Sequence, residues 1–454
     1  MNQFYKFILL LISISVANAT APLKTEKLTW GDLEVTYVED ERLPLYSVRF
    51  YFADGAVSEP ASRAGETKMT FDLLTSGTRR FNQKEISDNL EFYGAGLGFN
   101  VTHEYVIGGV SGLSKDIVPT MKQVCHLFKD ANFPRDEIKK SKKLWIDGLK
   151  SMINSHDSIA DRAFREISMS GSDVSMPVEG KIRTISAISQ KNLKRKLTYF
   201  KEKVKKRLYL TGPREILRIK DIILHECGFN FSTSTFVRNI SPVNVRKKQK
   251  TVLVTVPKAN QSQVRLGRIL DKEEITNIPL LMLSSKFLGG GFTSQLMKSV
   301  RVKSGLSYSV GAFAAGQRGY GRSGISSFTK NETIIDLIET IKNTVDEVAT
   351  QKFTTEEFEA SRGYLLGSYP FNFESPEGFV DNLIQLDHAG ISWSEFYQLP
   401  QRVQQIKKDE VAQKISELFS WDNQVVVILG PKSLAKKLRS SYSNLEVVSW
   451  KSFL

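Results

Sequence analysis

The feature that most constrains this fold is a pattern that the chain carries twice. Phe133-Pro-Arg-Asp-Glu137-Ile138-Lys-Lys-Ser141 is matched by Phe353-Thr-Thr-Glu-Glu357-Phe358-Glu-Ala-Ser361, an offset of 220 residues (357 − 137). Each copy follows an apolar series at helical spacing. Ile117, Met121, Val124 and Phe128 precede the first; Ile334, Ile338, Ile341 and Val345 precede the second. Pro134 and Thr354 then open a further helix at its first turn. Ile188 to Pro213 likewise parallels Ile406 to Pro431, offset by 218 (431 − 213). Each of these copies reads as an amphipathic helix, a short strand and a Gly-Pro stop. Two correlated offsets predict a duplicated domain rather than a solenoid of short repeats.

The length of 454 residues agrees, because a single core stops growing near about 250–300 residues. The expected organisation is a leader at 1–19, a first domain at 20–235, a linker at 236–250 and a second domain at 251–454. The boundary rests on the polar stretch from Ser232 to Lys250, with Pro242 and the run Arg246 to Lys250. In the first half, strands are predicted at Val35–Val38 and Ser47–Phe52, with a hairpin of Leu97–Val101 and Tyr105–Val110 and helices from about 115 to 165. In the second half, strands are predicted at Thr251–Val256, Gln263–Arg268 and Leu306–Phe313. Strands followed by helices give an α+β class: two homologous domains, each an antiparallel-rich sheet packed against helices.

The first twenty residues read as an address. Lys6 supplies a positive n-region, Phe7 to Val16 a ten-residue apolar h-region, and Ala17-Asn18-Ala19 a cleavage site. Cleavage would leave 435 residues (454 − 19) and lower the net charge from +14 to +13. No cysteine follows the h-region to take a lipid, and no later stretch approaches 18 apolar residues, so the expectation is an exported chain without an anchor. Export argues against chromosomal DNA as the reason for the basic charge, and no nucleic-acid partner is expected. Cys125 and Cys227 are too few for a disulfide framework or a four-thiolate zinc site. One bridge and two buried thiols both remain open.

By motif, the chain has no catalytic centre of its own. Its five histidines are His103, His126, His156, His225 and His388, and no two lie a helical turn apart. Neither HExxH nor HxxEH occurs. His225-Glu226-Cys227 places three ligand types in sequence, but neighbours in sequence point to different faces. Gly305-Leu-Ser307-Tyr-Ser309 breaks the GxSxG elbow at its last position, and Gly289-Gly-Gly291 lacks the Gly-Lys-Ser/Thr of a phosphate loop.

Charge is concentrated from Lys191 to Arg207, with nine Lys/Arg in 17 residues. Leu193, Leu197, Phe200, Val204 and Leu208 make an apolar stripe at helical spacing. A solvated cationic face opposite a core-facing stripe accounts for this pattern. Contact with anionic lipid or an acidic peptide is the functional alternative, and membrane association beyond such surface charge is not expected.

The most informative segment runs from Phe287 to Ala315. Gly289, Gly290 and Gly291 allow close backbone approach before a helix, and Thr293 or Ser294 can sit near its N-terminus. Leu296, Met297 and Val300 form the buried side, and Ser304-Gly305 ends the helix before the predicted strand from Leu306. Arg301 falls in the last helical turn and Tyr308 on the strand, seven residues on (308 − 301). A helix-turn-strand corner can bring the two together. As structure alone, they are a helix-terminal charge and a sheet aromatic.

The segment LGGGFTSQLMKSVRVKSGLSYSV resembles the C-terminal-domain signature of the pitrilysin/insulinase metallopeptidases, in their short, processing-peptidase-like bacterial branch. The resemblance extends through Ile325 to Lys330 and the Glu357 helix start. It also reaches Gly55 to Glu59, Gly65 to Thr78 and Phe133 to Glu137 in the first half. It implies two homologous domains forming half of a clam-shell around a chamber. It also implies HxxEH ahead of Gly77-Thr78, where this chain has Lys68, Phe71 and Asp72, and a downstream acidic pair near Asp147, reduced here to Asp147-Gly148. No metal site is therefore expected in this chain. In paired members of the branch one chain supplies zinc and its partner an Arg and a Tyr seven apart. The resemblance thus implies a periplasmic, zinc-free subunit of a heterodimeric metallopeptidase, inactive alone, with zinc in a homologous partner chain. Arg301 and Tyr308 would stabilise the oxyanion and bind substrate, with Gly289, Gly290, Gly291 and Phe292 contacting the peptide. The alternative is an inactive homologue serving as a peptide-binding or structural scaffold.

Overall fold

The computed structural model describes residues 23–241, 243, 245 and 248–454. The leader with its cleavage site, and Pro242, Arg246 and Lys247 of the expected linker, lie outside the described residues. Among those described are two six-stranded mixed sheets, each packed against helices in an α+β fold.

The first sheet comprises β1 (Thr25–Trp30), β2 (Leu33–Glu39), β3 (Leu45–Phe52), β4 (Gly96–Val101), β5 (Val106–Leu113) and β6 (Lys206–Gly212). The second comprises β7 (Lys250–Thr255), β8 (Gln261–Leu270), β9 (Val310–Gly316), β10 (Gly321–Lys330), β11 (Val425–Gly430) and β12 (Glu446–Ser449). Their orders are β1-β2-β6-β3-β5-β4 and β12-β7-β11-β8-β10-β9. Setting the outer strands β1 and β12 aside, the two orders are the same path. β2 and β6 pair in parallel, as do β7 and β11, and every later pairing is antiparallel in both sheets. The outer strands differ, since β1 is antiparallel to β2 and β12 parallel to β7. β6 and β11 end at Gly212 and Gly430, each followed by the proline read as a stop.

The helical series before each duplicated segment also forms as expected. Ile117, Met121, Val124 and Phe128 are buried on the helix Ile117–Asp130, and Ile334, Ile338, Ile341 and Val345 on the helix Ile334–Ala349. Pro134 and Thr354 sit one position before the first turn, as N-caps. Thr354 makes a reciprocal capping pair with Glu357: its Oγ1 accepts from Glu357 N and its N donates to Glu357 Oε2, both at 3.1 Å. The basic stretch is not one continuous helix. The helix Gln190–Glu202 ends before Val204, and Leu208 belongs to β6, so the apolar stripe passes from helix to strand.

Each sheet has two covered faces, and the covers are exchanged. The helix His156–Ser168 lays Ile159, Ala160, Ala163 and Phe164 on Val252, Val254, Val425, Val427 and Leu429 of the second sheet. Its counterpart Pro376–Ala389, 220 residues on (376 − 156), lays Phe379, Val380, Leu383 and Ile384 on Val38, Tyr51 and Tyr209 of the first. This explains why β11 reads Val-Val-Val-Ile-Leu without alternation: Val426 and Ile428 face their own half's core while Val425, Val427 and Leu429 face the visiting helix. The first core is aromatic, with Phe71 edge-on to Phe200 at 5.0 Å. Cys125 and Cys227 are joined there by a disulfide, 102 residues apart.

Candidate functional site

The helix Glu66–Asp72 stands where the zinc motif would fall. Lys68 and Asp72, four residues apart on one face, form an ion pair, with Lys68 Nζ at 2.9 Å from Asp72 Oδ2 and 3.2 Å from Oδ1. The Lys68 ammonium also lies 5.5 Å from the centre of the Trp145 ring, on the helix Arg135–Ser151. Burial pushes the Asp72 carboxyl up, against the opposing pull of Lys68. Phe71 points into the aromatic core, only 1% exposed. These residues do not fit a zinc ion: the first ligand position holds a cation, its charge is already answered by Asp72, and the residue at the place of the catalytic Glu is a buried hydrocarbon. Among the described residues, no three His, Cys, Asp or Glu side chains are grouped to hold a metal.

The glycine-rich corner is built on the second sheet. The helix Ile278–Gly289 ends against β9 so closely that a Cβ at Gly289 would lie 2.3 Å from the Ala312 amide nitrogen. Gly290 and Gly291 carry the chain around to Phe292, which is 77% exposed. The next helix is wider than an α-helix: Met297–Lys303 is a π-helix, with Ser304 N donating to Ser299 O at 3.1 Å. Met297 and Val300 face the core, as expected, while Arg301 is exposed. Two side-chain contacts hold this turn. Lys298 Nζ reaches Glu357 Oε1 at 2.7 Å, and Thr344 Oγ1 donates to Ser299 Oγ at 2.7 Å.

Gly305, at φ +58°, turns the chain out of the helix. The strand expected from Leu306 starts only at Val310, so Tyr308 lies on the connecting loop and not on a strand. The physical reason is that side chains of β10 take carbonyls that a longer strand would have used. Thr329 Oγ1 donates to Leu306 O at 2.7 Å and Ser327 Oγ to Ser309 O at 2.8 Å. This stapled loop presents Tyr308 with 70% of its surface exposed and its ring edge-on to Phe328 at 4.9 Å. Arg301 turns to Phe292, its guanidinium carbon 5.5 Å from the ring centre. Arg301 and Tyr308 therefore emerge from the same corner but rest on different aromatic rings. Phe292 and Glu357 are singled out in the sequence, but the contacts of Arg301 with Phe292, Tyr308 with Phe328 and Lys298 with Glu357, and the π-turn, carry no sequence signal.

Residues 230–365, which hold this corner, match the family described as Peptidase M16 inactive domain. Over nearly the whole chain, 417 residues align at 21% identity with a Helicobacter pylori protein named non-peptidase homolog YmxG, covering 89% of this chain and 94% of that one. The chain is thus similar to pitrilysin-type M16 proteins, by a domain match over residues 230–365 and by alignment along most of its length. An uncharacterized zinc protease of Streptomyces coelicolor is 21% identical over 348 residues, covering 75% of this chain and 74% of that one. The solved peptidase M16 inactive domain from Pseudomonas fluorescens superposes with a TM-score of 0.79 at 18% identity, covering 90% of this chain and 98% of the other. The periplasmic protease PqqL of Escherichia coli superposes with a TM-score of 0.73 at 12% identity, covering 91% of this chain but 46% of PqqL. The two-domain M16 architecture is thus shared along the chain. Among the described residues no helix is long and apolar enough to cross a membrane.

Proposed function

We propose that this chain is the exported, zinc-free member of a two-chain metallopeptidase, lending Arg301 and Tyr308 to peptide hydrolysis on a homologous zinc-bearing partner. The observation that carries the reading is the contrast between the two corners. The motif helix of the first half is closed by Lys68–Asp72, whereas the glycine corner of the second half holds Arg301 and Tyr308 open to solvent. The Tyr308 hydroxyl is a donor suited to the oxyanion of a tetrahedral adduct, and the Arg301 fork suits a substrate carbonyl or carboxylate. Phe292 and the Gly289–Gly291 backbone would lie along the same peptide. A periplasmic location is supported by the Cys125–Cys227 disulfide, which persists in oxidising compartments.

Native purification, reading subunit composition and zinc together, tests the pairing: a one-to-one complex with a zinc-bearing homologue is expected. In the reconstituted pair, Tyr308→Phe should lower turnover by about 10²–10³-fold while association is unchanged. A chain that purifies alone or self-paired, without zinc, sinks the proposal. A stable pair indifferent to Tyr308→Phe supports the scaffold reading instead, which the resting of Arg301 on Phe292, away from Tyr308, favours.

A further inference from the structure

The basic stretch noted in the sequence divides into spent and unspent charge once folded. Lys196 and Lys206 are buried, and Lys205 and Arg207 both pair with Glu34. What stays open is the start of the helix Gln190–Glu202, which forms one wall of a groove of about 540 Å³ against the helix Arg135–Ser151. Arg135, Lys139, Lys142 and Lys191 line it, over a floor of buried Ile138 and Ile188. No carboxylate lines the groove; Glu137, in the first turn of the same helix, is drawn to Lys140 at 2.7 Å. Among the described residues none of the four cations forms an ion pair, and Lys142 donates instead to the Ser186 carbonyl at 2.8 Å. Desolvation holds the Lys142 ammonium below its ordinary pKa, as expected of a cation short of a counter-charge. The N-terminus of the helix behind Ser189 adds its positive end to the same space.

Four like charges around one concavity focus a positive potential into it. The volume is within the range of ligand clefts, about 300–1,000 Å³. An extended chain can lie along this shallow groove, setting side-chain methylenes on Ile138 and Ile188 and carboxylates on the cations. We propose that this groove docks an acidic, extended protein segment: a short run of Asp and Glu on a partner or substrate chain. The groove belongs to the first half, so the inference does not rest on the roles of Arg301 and Tyr308.

The test is fluorescence anisotropy of a labelled oligoglutamate peptide titrated with the purified protein. Two charge-reversal pairs are compared: Lys139→Glu with Lys191→Glu in the groove, and Lys432→Glu with Lys436→Glu on a distant surface. All four side chains are exposed, so both variants should keep the fold, checked by their melting curves. The expected result is saturable binding that weakens with salt, falls by roughly tenfold or more in the groove variant, and holds in the distant one. Equal losses in both variants would mean diffuse charge and overturn the proposal, as would no peptide binding. Sedimentation with phosphatidylglycerol vesicles without peptide binding would overturn it in favour of a membrane surface.

Discussion

Lys206 illustrates what one buried charge does to this fold. Its ammonium donates to the Val204 carbonyl at 2.8 Å and to Ser234 Oγ at 2.7 Å, and burial pushes its pKa down to about 7. Below pH 7 both folded and unfolded chains hold the proton, so the cost of burying the charge is fully present. Between pH 7 and the unfolded value of 10.5, the unfolded chain keeps a proton that the folded chain has released. Stability therefore rises with pH across that window, by at most about 1.4 kcal/mol per pH unit. Lys206→Met removes the titration, so the melting temperature of the unmodified protein should gain on the variant between pH 7 and 10. A gap independent of pH would refute this. At this scale the sequence was readable where spacing alone decides: residues four apart on a helix must meet, and Lys68 and Asp72 do. The Trp145 ring beside Lys68 comes from another helix, and no local pattern announces it.

At the scale of elements, the glycine run predicted a close approach, and Gly289 makes one. A Cβ there meets the backbone nitrogen and the Cβ of Ala312 at 2.3 and 2.6 Å, so Gly289→Ala must push the end of the helix Ile278–Gly289 away from β9. Gly291 has open space around it and no positive φ. Chemical denaturation should show Gly289→Ala destabilising by about 1–3 kcal/mol and Gly291→Ala within about 0.5 kcal/mol of the unmodified chain. Equal effects at the two positions would show that the helix–strand approach is not what Gly289 serves. The π-turn was not legible, because i to i−5 hydrogen bonding has no compositional signature. The late start of β9 was hidden for a related reason: apolar and β-branched residues mark strands, but Thr329 and Ser327 capture the carbonyls of Leu306 and Ser309 through side chains. The basic stripe misled in the same way, since residues spaced for a helix can equally line a core by passing from helix into strand.

At the scale of the whole molecule, the duplication was legible because two offsets agreed, and the shared strand order is its physical form. The exchange of helices was not. Periodicity says that Ile159, Ala160, Ala163 and Phe164 share a buried face, but nothing in it says whose sheet they meet. Polar contacts fasten the exchange on both sides. Arg265 of β8 pairs with Asp157 and Asp161, one turn apart on the visiting helix, and Tyr209 of β6 donates to Asp387 at 2.7 Å. Beside Asp387, His388 bonds Tyr51 at 2.8 Å. Each half thus supplies a cover that the other half's sheet needs, and neither should be a stable monomer alone. Residues 23–235 by themselves would expose Val38, Tyr51, Ala53 and Tyr209 to water, and residues 248–454 would expose Val252, Val254, Val425, Val427 and Leu429. Expressed separately, the halves should bind a hydrophobic dye and self-associate, whereas co-expression should return a one-to-one complex. In the intact chain, Leu383→Ala, at a fully buried position of the exchanged helix, should cost about 2–5 kcal/mol. It should lower the unfolding of both halves together, because the first sheet loses its cover while the helix losing its anchor belongs to the second half. Calorimetry distinguishes the cases: a single transition moving as a unit is expected. Two transitions of which only one shifts, or separate halves that each melt cooperatively as monomers, would mean that the exchange decorates two self-sufficient domains.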